Sequence, residues 1–430
     1  MNLVIRGGRV VDPAQDIDAA VDLRIRDGRI VELGEHLEAG DAAVFDASGA
    51  IVAPGFIDMH VHLREPGQPH KETIATGAAA AVAGGFTAVA CMPNTEPALD
   101  SPALIAEVRR LADRAGLARV YPIGAITRGR AGQELAPYWR LHDAGAVAFS
   151  DDGSTVANPR VLRQAALYAR DIPGVFISHC LDDALHADAV MHEGGRSAQL
   201  GLAGSPGLAE TILVARDALI AGATGKPFHL AHLSVAMSVE LVRFARAQGF
   251  PVTCEVAPHH LLLDDARVRD FRADAKVNPP LRTPADAAAL RAAVRDGTID
   301  VLATDHAPHG HDEKARLLGE APVGFSGLEI AVGAYAHALP DLPLRRFVEL
   351  CSTAPARILG VAGGTLAPGA VADVTIFADR PWTVDARRFQ SRGHNTPFDG
   401  ARFSRRPIAT IVGGELVMDA GRVLEKKGRG

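Results

Sequence analysis

A chain of 430 residues with 45 Lys and Arg against 51 Asp and Glu carries a formal net charge of −6, the wrong balance for a surface that must neutralise nucleic-acid phosphates. Its hydrophobic fraction of 47% and charged fraction of 22% are those of an ordinary soluble protein, long enough for one large barrel and a smaller domain. Four widely spaced cysteines, Cys91, Cys180, Cys254 and Cys351, exclude a disulfide framework and fit a reducing compartment. Residues 1–8 lack the charged, apolar and small-residue layout of a secretory signal, so the expected location is the cytoplasm.

In chain order, residues 1–55 read as short strands: Leu3 to Arg6, Arg9 to Val11, Ala20 to Ile25, Arg29 to Val31 and Ala43 to Asp46. Gly7-Gly8 and Asp27-Gly28 mark the hairpins between them. From Phe56 to about Val361, short apolar runs alternate with Ala- and Arg-rich helical stretches. The candidate strands are Phe56 to Met59, Phe86 to Cys91, Arg119 to Ile123, Ala146 to Ser150, Val175 to Ser178, Phe228 to Ala231, Val252 to Val256 and Ile299 to Thr304. Eight strands separated by helices predict an α/β fold of the (β/α)8 TIM-barrel type.

The uncharged stretch Thr73 to Thr95 is as long as a membrane span, but its glycines divide it. It reads as a small-residue helix to Ala83, a turn at Gly84-Gly85 and a strand from Phe86, so no membrane segment is expected. After the barrel, Thr365-Leu366, Ala372 to Phe377, Ile408 to Val412 and Glu415 to Met418 read as strands, with a hairpin turn at Gly413-Gly414. Neither β-rich end has enough strands to hide its own edge. The expected layout is therefore a barrel over 56–361 beside a small composite β-sandwich of residues 1–55 and 362–430, with a frayed tail at 425–430.

The candidate chemistry begins at His60-Val61-His62. In a strand, alternate side chains share a face, so the two imidazoles point the same way. With 17 His in the chain a His-x-His pair arises by chance roughly 0.7 times, so the pair alone decides little. Its setting decides more. His60 and His62 end the first barrel strand, Asp151-Asp152-Gly153 the fourth, His179 the fifth, His232 the sixth and Asp305 the eighth, and barrel enzymes take their reactive groups from these strand ends. Histidines and carboxylates without cysteine suit a hydrolytic divalent metal, most plausibly zinc, which acidifies a bound water. Cys180, next to His179, is expected to face away from such a centre.

Asp58 to Gly67 and Ala303 to His309, the latter running on to Lys314, resemble the two motifs of the dihydroorotase family in the amidohydrolase superfamily. Met92 to Thr95, Ser150 to Gly153, Asn278 to Arg282 and Asn395 to Phe398 are similar to the same family, in its bacterial form with an aspartate bridging the metals. The resemblance spans essentially the whole chain.

It implies two Zn2+ ions, with His60 and His62 on one, His179 and His232 on the other, Asp152 bridging and Asp151 supporting it, and Asp305 as both ligand and catalytic acid/base. It implies a substrate carboxylate held by Arg64, Asn94 and His309, a further substrate contact from His62, and a pyrimidine ring met by Asn278 and the backbone of Val323 and Gly324. The implied reaction is reversible ring closure of N-carbamoyl-L-aspartate to L-dihydroorotate, in which hydroxide attacks the ring amide in the hydrolytic direction and Asp305 protonates the leaving nitrogen. A homodimer and a complex with aspartate carbamoyltransferase are the implied assemblies. Two alternatives are an allantoinase or hydantoinase and an inactive scaffold subunit. The former relatives generally carry a lysine at the fourth strand, where residues 146–153 have none, and the latter would lack ligands that this chain keeps. Leu63 and Val323 stand where relatives often have larger aromatic residues, and residues 310–322 are charged, aperiodic and placed to form a lid.

Overall fold

The structure, a computed structural model, describes residues 2–424; the tail expected at 425–430 lies outside the described residues. Its centre is a sheet of eight parallel strands in sequential order: β1 (Phe56–Val61), β2 (Phe86–Cys91), β3 (Arg119–Gly124), β4 (Ala148–Ser150), β5 (Phe176–Ser178), β6 (Phe228–Leu230), β7 (Val252–Val256) and β8 (Val301–Leu302). Closure to a barrel comes from a parallel bridge of Val61 with His306, the His62 amide donating to His306 O at 2.8 Å, and the buried Asp58 carboxylate accepting from the Thr304 amide at 3.2 Å. Burial pushes the Asp58 carboxyl up to about 7, against its hydrogen bonds from Thr304 and His60.

The predicted strands stand where the apolar runs placed them, with shifted ends. β4 and β8 are shorter than the runs Ala146 to Ser150 and Ile299 to Thr304, although Val147, Asp300 and Ala303 still donate to the neighbouring strands just outside them, so the difference lies in where the strand ends are drawn. The stretch Thr73 to Thr95 divides as expected into a helix (Ile74–Ala83), two glycines and β2. Thr73 opens that helix with a reciprocal cap to Thr76. At Gly84 a side chain would begin 2.3 Å from the Leu328 carbonyl, and Gly85 takes a φ of +89°, so this turn needs both glycines.

Both ends of the chain build the small domain. One sheet of four strands contains Leu3–Arg6 and Ala43–Asp46. A second, of seven, joins Ile51–Pro54 and Arg9–Asp12 from the N-terminal end to Val374–Ala378, Arg406–Val412 and Glu415–Asp419 from the C-terminal end, the two groups meeting where Ile51–Pro54 pairs with Val374–Ala378. Leu3, Ile5, Leu23 and Ile25 share one apolar core with Val374, Ile376 and Ile411, so neither end has a core of its own.

Two expected strands are corrected. The run Ala20 to Ile25 breaks at Val21 into Ile17–Ala20 and Asp22–Arg26, which lie in different sheets. Thr365-Leu366 is not a strand: the Asp12 carboxylate captures the Leu366 amide at 2.6 Å and the Thr365 hydroxyl at 3.0 Å, a side-chain partner in place of a ladder.

Candidate active site

Register within β1 slips between Asp58 and Val61, a local bulge that re-phases the strand. Val61 packs into the outer core, while His60 and His62 meet the Asp305 carboxylate at 3.5 Å and 3.1 Å through their Nε2 atoms. Asp152, just beyond β4, lies at the hub. Its oxygens stand 3.4 Å from His60 Nε2, 3.5 Å from His62 Nε2, 3.6 Å from His179 Nδ1 and 3.8 Å from His232 Nε2. All six sequence candidates for metal ligation therefore converge, and all six are buried. His232 and Asp305, like Arg64, hold φ angles of +34°, +51° and +60° respectively, a costly region for side-chain-bearing residues that clusters here at the strand exits.

The donor atoms suit a divalent cation. His60 donates its Nδ1 proton to Glu255 at 2.6 Å and His62 donates its own to Asn94 Oδ1 at 2.9 Å, which turns each Nε2 toward the cluster, where it would ligate a cation once free of its proton. His60 Nε2 and Asp152 Oδ1 are buried without a hydrogen-bond partner. Two triplets, His60 with Asp152 and His232, and His60 with His62 and Asp305, keep their ligand atoms within 4.8 Å of one another. Burial alone would discharge His60, but Asp152, Glu255 and Asp305 outweigh it and raise its pKa well above the imidazole range. His60 and its neighbours in turn hold Asp152 and Asp305 far below the carboxylate range despite their burial. This pocket of negative charge calls for a cation.

Asp151 does not support the cluster as expected. Its carboxylate instead takes the amides of Ile126 at 2.9 Å and Thr127 at 3.0 Å together with the Thr127 hydroxyl, fixing the loop after β3. Cys180 does turn away, with its thiol toward Ser178 O and Asp217. Sequence reasoning missed Glu255, which joins His60 to His229 at 3.1 Å and also accepts from the His232 amide. Its signal was a lone carboxylate inside the otherwise uncharged strand β7.

Beside the cluster opens a cavity of about 420 Å³ lined by Arg64, Asn94, Asn278, His309, Val323 and Gly324, the expected substrate contacts, and by Lys71 and Arg130, which were not anticipated. Arg64 is 8% exposed, and among the described residues it meets no carboxylate within ion-pair reach; its guanidinium touches Pro308 O at 3.2 Å and His309 Nε2 at 3.2 Å. Burial brings its pKa down only to about 10, so it stays charged. Burial, then the charges of Arg64, Lys71 and Lys314, force His309 down to about 2, so that ring is neutral and donates its one N–H to Val323 O at 2.7 Å. Asn278 presents a buried Oδ1 with no partner. Residues 310–322 hold one short helix, His311–Lys314, and otherwise irregular backbone packed down through Leu318 and Ala321 onto Met191, Val268 and Ala273.

A closed parallel barrel with histidines and aspartates gathered at its strand exits, flanked by a sheet domain from both termini, defines an amidohydrolase, and residues 214–418 match the family described as Amidohydrolase family. Residues 49–238 match the family described as Dihydro-orotase-like. The chain is 51% identical over 423 residues to a dihydroorotase of Pelotomaculum thermopropionicum, covering 97% of this chain and 99% of that one. It is 48% identical over 424 residues to a dihydroorotase of Citrifermentans bemidjiense, covering 98% and 100%. The chain belongs to the dihydroorotase family. Among solved structures, the L-hydantoinase (dihydropyrimidinase) from Arthrobacter aurescens superposes with a TM-score of 0.87 at 24% identity, covering 99% of this chain and 97% of that one, a likeness of fold.

Proposed function

We propose that this protein catalyses the reversible, zinc-dependent interconversion of N-carbamoyl-L-aspartate and L-dihydroorotate in the cytoplasm, as a step of pyrimidine synthesis. The observation that carries this reading is Arg64, a buried guanidinium at the pocket wall with no carboxylate in ion-pair reach among the described residues. An unpaired buried charge is expensive, and a planar fork of donors is matched by a substrate carboxylate.

His60 and His62 would hold one ion and His179 and His232 a second, with Asp152 and Asp305 as the carboxylate ligands. When bound, zinc supplies Lewis-acid polarisation of a carbonyl and acidification of water. The remaining work falls to the chain. Asn94 spends its Oδ1 on His62, which leaves its amide N–H groups for the carboxylate that Arg64 holds. His309 joins them only if its N–H leaves Val323 O. Asn278 and the Val323 N–H meet the ring, at a rim that Gly324 shapes. Asp305, kept ionised by the surrounding imidazoles, takes a proton from the attacking water and delivers it to the departing ring nitrogen.

The same reading includes a homodimer and an association with aspartate carbamoyltransferase. Exposed Ile212, Leu219, Met237 and Phe244 on the neighbouring outer helices Leu208–Thr224 and Ala236–Ala247 support an apolar contact. Among the described residues no helix is long and apolar enough to cross a membrane.

The test is turnover by metal-replete protein of L-dihydroorotate, hydantoin and allantoin, beside the variant Asp305→Asn. Dihydroorotate should be the preferred substrate, and the variant should lose about 10² to 10⁴ in kcat. Preference for a ring without a carboxylate, or an Asp305→Asn variant as fast as the parent, overturns the reading.

A further inference from the structure

The segment that closes the pocket is gathered around two buried ammonium groups. Lys314 Nζ donates to the carbonyls of Pro322 and Gly324, each at 2.9 Å. Lys276 Nζ donates to those of Leu318 at 2.7 Å, Gly319 at 3.1 Å and Ala321 at 2.8 Å. The two lysines are 9% and 8% exposed. An ammonium capped by carbonyls pins several backbone groups at once, which suits an irregular segment with no ladder to fix it. Burial, and then the nearby Lys276, lower the Lys314 pKa to about 7, so the contact is made at a real desolvation cost.

What is pinned is the pocket rim. Gly324 holds a φ of +111°, and a side chain there would begin 2.6 Å from Ala307 Cβ and 2.8 Å from its carbonyl. Its amide donates to Lys276 O at 2.8 Å, and its carbonyl accepts from Asn395 Nδ2 at 3.1 Å as well as from Lys314. The Val323 carbonyl is taken by His309. Both backbone groups of Gly324 are thus committed, and among the described residues the Val323 N–H has no partner and is free to donate to a ligand.

We propose that Lys314 is a positioning residue for substrate: by capping the Pro322 and Gly324 carbonyls it fixes where the Val323 N–H stands in the pocket, without lining the pocket itself. This rests on the cyclic-amide reading above. A group that fixes a binding contact made equally in ground and transition states changes KM and leaves kcat.

Steady-state kinetics on L-dihydroorotate, with metal content measured on each sample, tests the assignment. Lys314→Met should raise KM about tenfold, the scale of a lost hydrogen bond to a charged group, with kcat within about threefold and metal content unchanged. Lys314→Arg, which keeps donors on a cation, should recover part of that loss. Asn395→Ala removes the other side-chain donor to Gly324 O and should shift KM in the same direction, which keeps the inference testable if Lys314→Met fails to fold. Unchanged KM in the variants beside an active parent overturns the role of Lys314, as does a fall in kcat that tracks metal loss. A parent that converts no dihydroorotate overturns the functional reading instead.

Discussion

At the scale of single residues, the site is a set of histidines whose free nitrogens were chosen for them by carboxylates and amides. Glu255 is the clearest case. It receives the His60 Nδ1 proton at 2.6 Å, and its own pKa is held down to about 2, against burial, by His60 and His229. A carboxylate behind a ligating imidazole orients the ring and raises its basicity, so Glu255→Gln, which keeps an acceptor but loses the charge, should weaken metal binding by about 10- to 100-fold. Competition against a chromophoric chelator measures this, and an unchanged affinity would remove Glu255 from the account. The six proposed ligands were legible in the sequence because each follows an apolar run and the barrel dictates where such residues point. Glu255 was not, because its partner lies 195 positions away and only the closed barrel brings the two together. For the same reason nothing in the sequence marked Lys276, and Lys314 stood only as the end of a motif, with no sign of the carbonyls each one caps.

At the scale of elements, chain connections are held by side chains reaching for backbone. Asp12 on Thr365-Leu366, Asp151 on Ile126-Thr127 and the lysines on residues 318–324 are all of this kind. Such contacts leave no periodic trace, which is why the strand expected at Thr365-Leu366 is absent from the structure while the eight barrel runs agree with it. Glu329 offers a pH test of one such tie. It accepts the amides of Gln390 at 2.8 Å and Ser391 at 3.2 Å, yet burial raises its carboxyl to about 8. An acid raised in the folded state contributes stability in its neutral form, fully below its unfolded value near 4.5 and progressively lost as pH rises to about 8. Glu329→Gln keeps the acceptor without the titration, so it should match the parent near pH 4.5 and become the more stable protein as pH approaches 8. Denaturant midpoints across that range decide the matter, and a difference that does not change with pH would contradict it.

At the scale of the whole molecule, strands from the two ends of the chain bracket the barrel in sequence and share one apolar core beside it. Asp373 links the two bodies, accepting from the Arg119 guanidinium at 2.8 Å at the start of β3 and from the Gly413 amide at 2.7 Å. At the opposite end, the strand exits open onto the pocket, which is where a barrel places its chemistry. The proposal that two cations shared among His60, His62, Asp152, His179, His232 and Asp305 let this dihydroorotase-family chain open and close a dihydropyrimidine ring is the one the rest depends on. It is tested most directly by chelating the purified protein and following dihydroorotate hydrolysis as zinc is returned. Activity should be absent without metal and rise to a plateau at about two ions per subunit, the number these six ligands suit, whereas full activity in the metal-free protein would contradict the account.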